Sequence, residues 1–122
     1  VAIDPARVYE RNGQVYPVIA IPCAFAVANN QVVVTGTTGY IIRVMGWSVQ
    51  SNTATQGAMV LKSASGGTVL MSAKYAPPNT GLPWDLPITD SGYMETIVGQ
   101  GLYCDVTAGA INLDVYVIKY KV

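Results

Sequence analysis

The chain has 122 residues, enough for one domain with its own hydrophobic core. It carries seven basic and seven acidic side chains and no histidine, so it is 11% charged, 51% hydrophobic and formally neutral. That balance excludes the basic surface that nucleic-acid binding needs, and the missing histidine excludes a Ser-His-Asp triad, a Cys-His dyad and a histidine metal site.

Residues 1–13 hold Asp4, Arg7, Glu10 and Arg11 together with Pro5 and the turn pair Asn12-Gly13, and they read as a short N-terminal arm ahead of a domain spanning 14–122. No charge occurs from Asn12 through Ile42, but a membrane helix does not fit there. The apolar stretch Val15–Ala28 is too short and is broken by Pro17 and Pro22. Ala26-Val27-Ala28 imitates a leader-cleavage site, yet Asp4 and Glu10 cancel the positive region a secretion signal requires. No membrane partner is expected.

Short apolar runs then alternate with glycine, proline, asparagine and serine clusters. The expected strands are Val15–Ile21, Cys23–Ala28, Gln31–Thr35, Tyr40–Gln50, Ala58–Ser63, Thr68–Tyr75, Gly92–Ile97, Leu102–Thr107 and Ile111–Lys121. Regular short strands with turn signals and no helical periodicity give an all-β class, a single-domain sandwich or barrel. In Tyr40–Gln50 simple alternation puts Ile41, Met45, Trp47 and Val49 on one face and Tyr40, Ile42 and Val44 on the other. Residues 76–87 form the longest loop, stiffened by four prolines, and display Trp84 either as a contact residue or folded back on one end of the sandwich. Gly99-Gln100-Gly101 reads as a hairpin turn, because no helix follows it to cradle a phosphate.

The last strand is the most legible. Ile111, Leu113, Val115 and Val117 make a core face, while the opposite face begins polar at Asn112 and Asp114 and turns apolar at Tyr116, Ile118 and Tyr120. An apolar stripe of that kind needs a cover, either a second layer or another subunit. Tyr116, Ile118, Tyr120 and Trp47 are therefore the candidate subunit-interface residues. Arg7, Tyr9 and Arg11 on the arm and Trp84 on the loop are the candidate contacts to a larger partner or a ligand.

Little chemistry is available. Asp85, Asp90, Glu95, Asp105 and Asp114 are the carboxylates from which a two-acid glycosidase would have to be built, and each has a turn or surface explanation. Cys23 and Cys104 sit in alternating apolar runs and are expected to be buried, reduced thiols. No catalytic residue, metal ligand or cofactor is expected, and the chain reads as a building block rather than an enzyme.

One ordered set of turns and strands has a counterpart. A glycine-led long strand, Gly39-Tyr40-Ile41-Ile42-Arg43-Val44-Met45-Gly46, is followed by a strand pair whose second member opens Gly67-Thr68-Val69-Leu70. A proline-rich loop ending Leu86-Pro87-Ile88 comes next, then Gly101-Leu102-Tyr103-Cys104-Asp105-Val106-Thr107 and a terminal strand closing on Tyr120. Over about residues 23–121 this pattern resembles the small jelly-roll head-decoration (cement) proteins of tailed bacteriophages. The resemblance implies a jelly-roll β-sandwich, self-association as a homotrimer, the major capsid protein as partner, and a place on the capsid surface of a virion assembled in the bacterial cytoplasm. A receptor- or glycan-binding knob of a head or tail fibre is the alternative on the same fold, with Trp84 or tyrosines as the sugar-stacking surface.

Overall fold

The computed structural model describes the backbone of residues 8–11, 14–89 and 91–122, and side chains within 15–71, 75–89 and 91–122. Eleven strands and no helix occur among them. They are β1 (Val8–Arg11), β2 (Gln14–Pro17), β3 (Ile19–Phe25), β4 (Ala28–Val34), β5 (Tyr40–Ser51), β6 (Gly57–Ser63), β7 (Thr68–Ala76), β8 (Trp84–Leu86), β9 (Met94–Glu95), β10 (Leu102–Ala108) and β11 (Ile111–Lys121).

Two antiparallel sheets pack face to face. The smaller runs β4-β10-β6-β7; the larger runs β3-β11-β5-β8, with β9 also on β5. From β3 onward successive strands repeatedly change sheet, and the last two strands return to the middle of the two sheets. This is the double Greek-key order of a jelly roll. β1 and β2 form a separate two-stranded ribbon, with Tyr9 opposite Tyr16 and Arg11 opposite Gln14. Part of the segment read from sequence as an arm is thus strand-paired; residues 1–7, 12 and 13 lie outside the described residues.

The core between the sheets draws one face from each. Ile111, Leu113, Val115 and Val117 of β11, with Ile42, Val44, Trp47 and Val49 of β5, meet Met59 and Leu61 of β6 and Leu102, Cys104 and Val106 of β10. Alternation in β11 holds as the sequence implied. Alternation in β5 does not. Tyr116 pairs with Gly46 but Val117 with Val44, so Met45 is an extra residue in the ladder. This bulge flips the parity: Trp47 and Val49 share the core face with Ile42 and Val44, while Met45 joins Ile41 outside. Gly46 beside the bulge has a second task. A Cβ there would lie 2.6 Å from the Leu86 carbonyl oxygen, so only glycine lets β8 approach β5.

Three other boundaries move for local reasons. Pro17 ends β2, whereas Pro22 lies inside β3 instead of dividing two strands. β3 is an edge strand, bonded to β11 alone among the described strands, and an edge is where proline is tolerated in a sheet. Within 92–97 only Met94–Glu95 is a strand, and the long proline loop gains the short strand β8. Gly99-Gln100-Gly101 is not a hairpin turn, because β9 and β10 belong to different sheets; the segment crosses between them, with Gly99 at φ +83°.

Candidate functional site

The apolar stripe of β11 is covered by the chain itself. Ile118 and Tyr120 are fully buried and Tyr116 nearly so, in a second cluster with Val18 and Met45; Tyr16, Ile41 and Ile88 pack against it. The Tyr16 and Tyr120 rings meet edge to face at 6.0 Å. The cover is the segment that runs through β2 into Val18. It shields only the apolar end of the face, and Asn112 and Asp114 at the other end remain exposed. Tyr116, Ile118 and Tyr120 are therefore not open subunit-contact residues in this conformation. Burial raises the Tyr116 hydroxyl above the ordinary tyrosine range, helped by the carboxylates of Asp114 and Asp85.

Trp47 is corrected more completely. The bulge turns it inward, where it is 2% exposed between the sheets. Trp84 on β8 meets it edge to face at 5.3 Å, and Val49 pairs with Trp84 across the ladder. Trp84 is thus folded back on the core rather than displayed, which removes the best candidate for a sugar-stacking ring. The loop before it is tied down by the Gln50 side-chain amide, which donates to the carbonyls of Pro78 at 3.2 Å and Gly81 at 2.7 Å. Arg7 and the side chains of Tyr9 and Arg11 lie outside the described residues.

The carboxylates have structural occupations or none in common. Glu95 Oε2 accepts from Arg43 Nη1 at 2.7 Å and from the Tyr120 hydroxyl at 2.6 Å, pinning β9 to β5 and β11. Asp105 Oδ2 pairs with Lys62 Nζ at 3.0 Å, and its Oδ1 accepts the Asn30 backbone N–H at 2.6 Å. Lys62 also donates to Asn30 Oδ1 at 2.7 Å, and Gly66 N–H does so at 2.7 Å. Partial burial works to raise the Asp105 carboxyl, but the Asn30 N–H and the Lys62 ammonium outweigh it and hold the group below the usual aspartate range. Asp85 and Asp114 are exposed and flank Ser48 on one rung of the larger sheet. Asp90 lies outside the described residues. Among the described acids, Glu95 and Asp105 are each tied to a basic side chain rather than to a second carboxylate.

The Lys62 cluster was not legible in sequence, which offered only a surface explanation for Asp105 and nothing to link it to Lys62. It sits on the outer face of the smaller sheet, which the described chain leaves largely open. One rung there reads Val32, Tyr103, Lys62, Val69 across four strands. Val32 is 50% and Val69 52% exposed.

Both cysteines are free. Burial pushes the Cys23 thiol up to about 11, with a contribution from Asp114. It pushes Cys104 up to about 12, with contributions from Cys23 and Asp105. Thiols held this far above neutrality are poor nucleophiles. Among the described residues no cluster of histidine, cysteine or carboxylate could hold a metal ion. What the arrangement offers is surface: a thinly charged exterior, two exposed valines at the ends of one rung of the smaller sheet, and an apolar face covered by the segment through β2 into Val18. No family model matches the chain, and no curated protein or solved structure shows significant similarity to it.

Proposed function

We propose that the chain is a non-enzymatic virion structural protein, a capsid decoration or cement subunit that self-associates as a homotrimer and binds the major capsid protein of a phage head. The observation that carries this reading is the pairing of a jelly-roll strand order with a charge-poor exterior. Fourteen charges are spread over 6219 Å² of accessible surface, and four of them, Arg43, Glu95, Lys62 and Asp105, are already paired with one another. Jelly rolls serve repeatedly as capsid and lectin domains, and assembly rather than solvation suits a surface of this composition. The fold enters here as analogy, and the composition and surface supply the physical support. The fibre-knob alternative draws no support from Trp84, whose ring is engaged with Trp47.

The test is binding to capsids that lack the protein. Purified chain should pellet with them at a stoichiometry of hundreds of copies per particle and raise their resistance to heat. Failure to bind any capsid lattice, together with attachment to host cells or glycans, would replace the cement reading by the knob.

A further inference from the structure

Asn30, Asp105 and Lys62 meet on the outer face of the smaller sheet, one from each of the neighbouring strands β4, β10 and β6. Register brings them together. Lys62 pairs with Tyr103 and Val60 with Asp105, so the lysine and the aspartate are diagonal neighbours on one face. Asn30 comes in from the other side of β10. Cys104 pairs with Gln31 but Val106 with Ala28, so β4 takes three steps where β10 takes two. Asn30 sits in that bulge at φ +57°, a left-handed backbone that asparagine tolerates better than most side chains.

The Asn30 amide is arranged as an electrophile. Lys62 Nζ lies 2.7 Å from its Oδ1, and the Gly66 backbone N–H donates to the same oxygen at 2.7 Å. Two donors on one atom identify it as the oxygen and polarise the carbonyl, and the Gly66 N–H already stands where an oxyanion needs a donor. A carbonyl bond of about 1.23 Å puts Cγ no more than about 4 Å from Nζ, against about 3–3.5 Å for attack. Rotation about the terminal bonds of the lysine covers the difference. A base is in place. Asp105 Oδ2 is 3.0 Å from Nζ, and its Oδ1 is held by the Asn30 backbone N–H at 2.6 Å. The Lys62 and Asp105 side chains are only 10% and 16% exposed, so little water competes for the carbonyl.

We infer that this cluster is the site of a self-made covalent bond, an isopeptide linkage from Lys62 Nζ to Asn30 Cγ, with Asp105 as base and the Gly66 N–H as oxyanion donor. The ion pair is the reactant. Asp105 takes a proton from the Lys62 ammonium, and the free amine adds to Cγ. The charge that develops on Oδ1 falls on the Gly66 N–H. Asp105 delivers its proton to Nδ2 and removes the second proton from Nζ as the Cγ–Nδ2 bond breaks. The Nζ–Cγ bond replaces it, the nitrogen leaves as ammonium, Asp105 ends ionised as it began, and no oxidant or cofactor enters. The cluster holds Asp105 below the usual aspartate range, so it carries the proton only transiently and the bond forms slowly after folding. The linkage ties β4 to β6 across β10. It is one event per chain, without turnover, and does not depend on what the chain assembles with.

The experiment follows the intact mass of the purified, folded full-length chain on incubation. The mass should settle one ammonia below that of the sequence. Trypsin should then fail to cut after Lys62 and should release a branched peptide joining residues 12–43 to 44–74. Lys62→Arg keeps a cation beside Asp105 but offers no amine nucleophile, and it should retain the sequence mass. Asp105→Asn should slow the loss at least tenfold while circular dichroism shows the fold intact. A chain that keeps the sequence mass and is cleaved after Lys62 overturns the proposal and leaves the cluster as an ion pair alone. Loss of ammonia that persists in Lys62→Arg also overturns it, because the nitrogen would then come from another amide.

Discussion

Ile118 gives the sharpest test of the covered layer. Its side chain is fully buried although it points away from the sandwich core, so its burial depends on the segment through β2 into Val18 and on Met45 and Ile88. Ile118→Ala removes three carbon groups worth about 0.8 kcal/mol each in transfer free energy, and a cavity contribution brings such changes to about 2–5 kcal/mol. The lower half of that range is expected, because a cover that is not a strand of either sheet can settle into the gap more readily than a paired strand can. For a 122-residue chain the unfolding entropy is about 0.26 kcal/mol/K at the midpoint, so a 3 kcal/mol loss lowers Tm by about 12 °C. Urea and thermal unfolding followed by far-UV circular dichroism measure both quantities. Ile118→Asp should cost more, since a carboxylate would be buried there without a partner. Burial would raise that carboxyl's folded-state pKa above its unfolded value, so the extra penalty is fully present above the folded pKa and shrinks as pH falls through it. If Ile118→Ala costs under about 1 kcal/mol, a value typical of open surface positions, the layer does not cover this residue.

Three further outcomes follow from other contacts. Lys62→Met should destabilise by about 1–3 kcal/mol at pH 7, because it leaves the half-buried Asp105 without its counter-ion. Asp105 has a depressed folded-state pKa, so its contribution is present above the unfolded aspartate pKa and lost as pH falls through the folded one; urea titrations of both proteins from pH 7 to pH 2 should converge at the acid end, and a gap that stays constant refutes the pairing. Gly46→Ala should push β8 off β5 through its clash with the Leu86 carbonyl, read as a red shift of tryptophan emission when the Trp47–Trp84 contact opens; unchanged emission and Tm would mean the approach is not close. Cys23 and Cys104 should both titrate as free thiols, the fully buried Cys104 reacting with a thiol reagent more slowly than Cys23, and a mass two hydrogens lower without reductant would instead reveal a disulfide.

Much of the architecture was written in local pattern. Alternation of apolar and polar residues is a property of each strand alone, so β11 could be assigned its two faces from Ile111 to Tyr120 without any partner in view. Glycine- and proline-marked turns likewise placed most strands within a residue or two, and the polar-to-apolar change along the outer face of β11 announced that something must cover its end. The sequence could not say whether that cover was a subunit or the chain's own segment through β2 into Val18, because both bury the same side chains. Only tertiary structure decided it for this conformation. The bulge at Met45 was equally silent: it is defined by two strands falling out of step, Tyr116 on Gly46 and Val117 on Val44, and it carried Trp47 from the expected interface into the core. The pairings of Lys62 with Asp105 and Arg43 with Glu95 join strands far apart in sequence, and no local rule records which outward charge will face which across a sheet. Composition and strand periodicity fixed what kind of body this chain makes; register, which is a relation between strands, chose which side chains lie in its core and which lie outside.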